Sequence, residues 1–227
     1  MERKKSILLQ ALCGAVVGVL AVRFGGRVVE LSSAFAIDKV SLAHRQYMVA
    51  AIPWVLFSLY WEIAAKNAAE AKSSEAKVSR GLHVFLANMA ILLEIVPIRG
   101  LGRFLPVSYG IMAAGFVVEM TGLFLAIWAR RALGRNWSGE ISIKVEHQLI
   151  RTGPYKRLRH PIYTGLLTMY VGTAIVSGTW LAVLGLALAG VAYWRKIRLE
   201  EANLNLAFGA DYDAYRRESW ALIPGVY

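Results

Sequence analysis

The segment VSYGIMAAGFVVEMTGLFLAIWA, residues 107–129, carries a single charged side chain, Glu119, in twenty-three positions. A helix that crosses the bilayer core needs about 20 predominantly apolar residues. Inside hydrocarbon, its backbone groups must bond to one another because no water is present to satisfy them. The segment therefore reads as a membrane helix. Working outward from it, further apolar runs fall at 7–22, 47–65, 82–98, 162–177 and 179–194. The 227-residue chain is 57% hydrophobic, with a mean hydropathy of +0.47. Both exceed what soluble domains carry. The predicted fold is an all-α, polytopic transmembrane helical bundle forming one membrane domain over residues 1–227. Residues 1–106 supply N-terminal spans, and residues 107–227 hold the polar clusters that lipid solvation does not explain.

The last two runs have about 16 residues each, roughly 24 Å at the helical rise. Ser177 and Gly178 leave room only for a tight turn between them, so a C-terminal helical hairpin is expected. The segment 195–209 is predicted as a separate interfacial helix, with Ile197, Leu204 and Phe208 on an apolar stripe and Lys196, Glu200 and Asn203 on a polar one. Gly209 ends it, and Asp211 is expected to cap a second short helix carrying Tyr212 and Tyr215. The run at 7–22 follows Arg3, Lys4 and Lys5 and lacks a convincing small-x-small cleavage site, so it is expected to be a membrane helix. With Cys13 as the only cysteine, neither an intrachain disulfide nor a thiolate zinc site can be built.

The net charge of +11 is explained by topology. Placing the amino terminus, residues 66–81, 130–161 and the tail from 195 on one side gathers twenty of the Lys and Arg residues there and leaves six opposite. By the positive-inside rule that side is cytoplasmic. Both termini and the polar cluster are thus expected at the cytoplasmic face, in a bacterial inner membrane, and nucleic acid is not needed as a partner. Glu94 is expected near the interface and Glu119 deeper, where an ionisable group needs a partner or a cavity.

Between two apolar runs lies TGPYKRLRHPIYTG, residues 152–165. Pro161 pushes His160 out of the α region at a helix entrance, Tyr163 shares that entrance one turn on, and Gly165 permits close backbone approach. Free N–H groups there suit an anion, and tyrosine faces suit a cation. The plain alternative is a basic juxtamembrane loop against lipid headgroups. Likewise Glu200 and Glu201, preceded by Lys196 and Arg198, have the spacing of surface ion pairs. The hairpin, however, returns Glu200 to the membrane face that holds His160.

In order and spacing, ARRALGRNWSG (129–139), HQLIRTGPYKRLRHPIYTG (147–165) and EEANLNLAFGADYDAYRRESWALIPG (200–225) resemble the isoprenylcysteine carboxyl methyltransferase family. These are integral membrane enzymes that use S-adenosylmethionine, and the phospholipid N-methyltransferases look like their relatives. The resemblance implies cofactor contacts from His147, Gln148, Leu149, Ile150, Gly153, Tyr155, His160, Pro161, Ile162, Tyr163 and Glu200. Where eukaryotic members carry an arginine for the substrate carboxylate, this chain has Lys196, with Arg198 nearby. Glu201 and His160 are the candidate bases should the acceptor be an amine. Trp137 is a candidate pocket wall. The implied partners are a lipophilic small-molecule or lipidated substrate and membrane lipid, with no oligomeric state assigned. The function expected is carboxyl O-methylation of an isoprenylcysteine-like acceptor. Two rival readings stay open, a phospholipid amine N-methyltransferase and a non-catalytic membrane scaffold or transporter.

Overall fold

The computed structural model describes residues 42–65, 77–96, 102–137 and 149–226. The predicted span at 7–22, Cys13, His147 and Gln148 lie outside the described residues. Within them run six α-helices: α1 Leu42–Ala65, α2 Lys77–Ile95, α3 Tyr109–Leu133, α4 Pro161–Ser177, α5 Trp180–Phe208 and α6 Ala210–Glu218. Short 3₁₀ turns occur at Gly134–Asn136 and Gly153–Lys156. Helices α1, α2, α3 and α5 are long and apolar enough to cross a membrane, and α4 is a shorter apolar helix.

Local chemistry sets the ends of these helices. Ser108 caps α3 through its side chain, which accepts from Ile111 N at 3.2 Å, and Thr179 does the same for α5 with Ala182 N at 3.1 Å. Pro161 occupies the first position of α4, where its missing N–H costs nothing. Gly178 closes α4 in the left-handed conformation, φ 62° and ψ 22°, which gives the tight turn expected at 177–178.

Helix α3 packs most extensively against α4, and α2 against α5. The first pairing rests on glycine. A Cβ placed on Gly165 would lie 2.6 Å from Gly122 O and 2.7 Å from Ala126 N, and one on Gly115 would lie 2.8 Å from Gly172 O. Two glycines seven residues apart on each helix thus let the backbones touch, as close helix pairs in lipid require.

Polar groups buried in the bundle link several helices. Trp54 Nε1 on α1 donates to Thr173 Oγ1 at 2.9 Å, and Thr173 in turn donates to the Glu119 carboxyl on α3. Tyr170 on α4 donates to Ala87 O on α2 at 2.9 Å. Glu119 has the buried, partnered position expected of it. Glu94 does not follow its expectation: it is fully buried, with Ser177 Oγ donating to its backbone carbonyl at 2.5 Å. The sequence span ran on to residue 98, but the helix ends at Ile95 and its last turn is covered by the α4–α5 corner.

The hairpin also differs from expectation. Its first arm has 17 residues, but the second runs without a break for 29, through the segment predicted as a separate interfacial helix. No Gly or Pro falls between Val191 and Phe208, and Arg, Lys, Leu, Glu and Ala there favour helix. At 1.5 Å per residue α5 is about 43 Å long, so its last turns extend beyond a ~30 Å hydrocarbon core. Gly209 ends α5 as predicted, its N–H donating to Asn205 O at 2.8 Å. The cap of α6 is Gly209 and not Asp211; Asp211 and Asp213 fall in its first turn, where they favour the helix dipole.

Candidate active site

The helix ends divide between two faces of the bundle. At one, Arg103 donates to Gln46 Oε1 at 3.3 Å and Phe104 N donates to Gly178 O at 2.9 Å. At the other meet the end of α1, the start of α2, the end of α3, the entrance of α4 and the distal half of α5. There Arg130 donates to Ala64 O at 2.5 Å and Gly134 O at 2.8 Å, and Arg195 donates to Ser79 Oγ at 2.7 Å. Nearly all of the predicted chemistry lies at this second face.

The turn at 153–160 starts at Gly153, whose φ of 59° favours glycine. It continues as one 3₁₀ turn that buries Pro154 and Tyr155. The chain's tail then clamps it: Arg159 N donates to Trp220 O at 2.8 Å, His160 N to Ala221 O at 3.1 Å and Trp220 N to Arg157 O at 3.0 Å. From α6, the Tyr215 hydroxyl reaches Tyr155 O at 2.6 Å and Leu158 O at 3.2 Å. Burial pushes the Tyr215 phenol up to about 12, and burial together with the nearby Glu200 charge holds Tyr155 well above its ordinary value. Both therefore stay neutral hydroxyls at physiological pH.

His160, buried at the head of α4, stacks on Tyr163 with ring centroids 5.5 Å apart and planes 8° from parallel. Tyr163 donates to Glu200 Oε2 at 2.7 Å. His160 Nε2 lies 3.3 Å from Glu201 Oε1, and its Nδ1 lies 3.7 Å from Glu200 Oε2. Glu201 Oε1 also accepts from Arg159 Nε at 2.7 Å, and Arg216 Nε stands 4.0 Å from Oε2. Arg159 further donates to the carbonyls of Ser219 and Arg216, tying the tail to the carboxylates. Lys196 is buried one turn before Glu200 on α5.

The structure thus brings together Tyr155, His160, Pro161, Ile162, Tyr163, Glu200 and Glu201, with Lys196 one turn before Glu200 on the same helix. Leu149 and Ile150 are half-buried at the edge of the turn, and Ile150 packs against the core that holds Tyr155. Arg198 is not brought in: it is exposed on the outer face of α5. Lys196, on the polar stripe of the sequence pattern, faces inward, because α2 and α4 cover that side of α5. In the sequence Arg159 is one more base in a basic linker; in the structure it holds Glu201. Trp137 lies under the buried Arg130 guanidinium, 4.3 Å from ring centroid to Cζ, and meets Trp61 edge-on at 5.9 Å.

A family model described as phospholipid methyltransferase matches residues 111–211. Protein-S-isoprenylcysteine O-methyltransferase A of Arabidopsis thaliana is 30% identical over 151 residues, which cover 64% of this chain and 73% of that protein. The chain belongs to the isoprenylcysteine carboxyl methyltransferase family. Within this family, the B enzyme of the same plant is 28% identical over 172 residues, 72% of this chain and 84% of the relative. The Dictyostelium discoideum protein-S-isoprenylcysteine O-methyltransferase is 25% identical over 145 residues, and the match spans 61% of its length. The solved eukaryotic intramembrane Ras methyltransferase, isoprenylcysteine carboxyl methyltransferase, aligns over 97% of both chains with a TM-score of 0.50 at 17% identity, a likeness of fold. The chain is thus an integral membrane, all-helical member of the isoprenylcysteine carboxyl methyltransferase family.

Proposed function

We propose that this protein transfers a methyl group from S-adenosylmethionine to the carboxylate of a lipophilic, isoprenylcysteine-like acceptor at the cytoplasmic face of the membrane. The observation that carries this reading is the state of the two candidate bases. Glu201 Oε1 is taken by Arg159 and His160, and both His160 nitrogens face carboxylates. An amine acceptor must lose a proton to a base in reach. A carboxylate is already anionic and needs none. It needs a cation, and Lys196 is a buried cation one turn from Glu200.

The residues present fit the methyl donor. The stacked His160 and Tyr163 rings offer π faces suited to a cation. Glu200, fixed by Tyr163, keeps a third of its side chain exposed to meet a polar group. When bound, S-adenosylmethionine supplies a methyl on a sulfonium, and the C–S pair leaves with sulfur as the C–O bond forms. His160, Tyr163 and Glu200 hold one side of the site; Lys196 draws the acceptor carboxylate to the other. Arg159 and Tyr215 fix the tail over the turn and keep water out, so that acceptor and methyl can be aligned for in-line displacement. The distribution of basic residues supports a cytoplasmic position for this face and the carboxyl terminus. Membrane lipid surrounds the acceptor's apolar part. The phospholipid methyltransferase model match keeps an amine headgroup as the second reading.

Lys196→Gln tests the division of roles. Its loss is expected to raise the acceptor KM or lower kcat about tenfold or more, with donor affinity nearly unchanged, because the charge serves one half of the site. Lys196→Arg is expected to retain part of the activity. Unchanged KM and kcat in Lys196→Gln, measured beside calorimetric binding of the demethylated product, would exclude the substrate role.

A further inference from the structure

Tyr212 is one of the largest fully buried side chains among the described residues, and its hydroxyl has no hydrogen-bond partner. The neighbouring phenols differ. Tyr163 donates to Glu200, Tyr215 to the Tyr155 and Leu158 carbonyls, and Tyr170 to Ala87. A hydroxyl taken from water with no partner carries a cost, and such groups are rare in native interiors unless a ligand or a water completes them.

The position of Tyr212 says which kind of ligand. Tyr212 and Arg216 are four residues apart on α6 and so share one helical face. Arg216 Nε lies 4.0 Å from Glu201 Oε2. Tyr215 on the adjoining face holds the 155–158 turn, with its ring 6.2 Å from that of Tyr212. Burial raises the Tyr212 phenol above its ordinary value, and the charges of Glu201, Arg159, Glu200 and Arg216 also act on it. The ring thus lies on the helical face that carries Arg216 towards Glu201, the carboxylate that His160 Nε2 also meets at 3.3 Å. Lys196 is a turn further back along α5.

We propose that Tyr212 is a further binding residue of this site, its hydroxyl donating a hydrogen bond to an acceptor atom of the bound methyl donor. This rests on the methyltransferase reading above. Before the donor binds, the hydroxyl is a small instability in a clamped tail, and binding completes it.

The test uses full-length protein in detergent, calorimetry with S-adenosylhomocysteine, and thermal unfolding with and without it. For Tyr212→Phe, Kd is expected to rise roughly three- to tenfold, the worth of one buried hydrogen bond. The ligand-free Tm is expected to stay level or rise, because the ring remains and the unpartnered hydroxyl is gone. An unchanged Kd overturns the proposal, as does a fall in Tm of equal size with and without ligand, the sign of a buried water on the hydroxyl. A higher KM for the acceptor with donor Kd intact also overturns it, by placing Tyr212 on the other half of the site. Wild-type protein that is folded but binds no S-adenosylhomocysteine refutes the methyltransferase reading itself, and that is seen before any variant is compared.

Discussion

Gly165→Leu is expected to yield no stably folded protein in detergent, and Gly165→Ala to lower Tm sharply. A Cβ at this position meets backbone, Gly122 O at 2.6 Å and Ala126 N at 2.7 Å, and backbone cannot swing aside as a side chain can. Overpacking a filled interior costs about 1–3 kcal/mol or more. Here the strain also falls one turn from His160 and Tyr163, so any α3–α4 separation moves the site. Gly190 on α5 is the internal comparison, because a Cβ there meets nothing within 4 Å. Gly190→Ala is expected to be near neutral in Tm. Equal losses from Gly165→Ala and Gly190→Ala would mean that backbone contact between α3 and α4 does not hold the bundle.

The second large effect is expected from Glu201→Gln. The amide keeps the shape of the carboxylate but removes the charge that holds Arg159 at 2.7 Å and His160 at 3.3 Å, on a side chain only 11% exposed. Breaking one member of such a buried pair costs about 3 kcal/mol. Because the same network positions His160 and the tail over the turn, its loss is also expected to misplace the site and lower kcat/KM by roughly 100-fold. Arg159→Gln is expected to give a loss of similar size, and the double variant little more than either alone, because both remove one network. Additive losses in that cycle would show that Glu201 and Arg159 act independently.

What could be read from the sequence follows the range of the forces involved. Bilayer solvation acts residue by residue over some twenty positions, so the spans at 47–65, 82–98, 107–129 and 162–177 each find their helix, α1 to α4, with ends up to five residues away. Pro161 and Gly178 act on their own backbone, so the entrance of α4 and the turn after it were legible too. The break assigned after residue 194 was an error of a different kind. Apolarity ends there but helix does not, because an Arg, Lys and Glu segment continues a helix in water as well as it lines a membrane surface.

Tertiary contacts were the least legible. Lys196 and Arg198 are two residues apart with similar side chains, and only the packing of α2 and α4 on one side of α5 makes the first buried and the second exposed. Arg159 pairs with a carboxylate forty-two residues on, a contact that no local charge pattern records. Family resemblance recovered His160, Tyr163 and Glu200 as a group, and geometry then explained why they belong together. In the sequence Tyr212 is one of two tyrosines on a short helix, and only the lack of a partner for its buried hydroxyl sets it apart from Tyr215.

A lipophilic carboxylate and an amine headgroup leave products that base distinguishes. The most direct test is to incubate purified protein with methyl-labelled S-adenosylmethionine and either an N-acylated, S-isoprenylated cysteine or a membrane lipid extract, then treat the products with base. Carboxyl methylation leaves label on the isoprenylcysteine that base releases as methanol, the behaviour of a methyl ester. Base-stable label on an amine headgroup from the lipid extract, with none on the isoprenylcysteine, would contradict it.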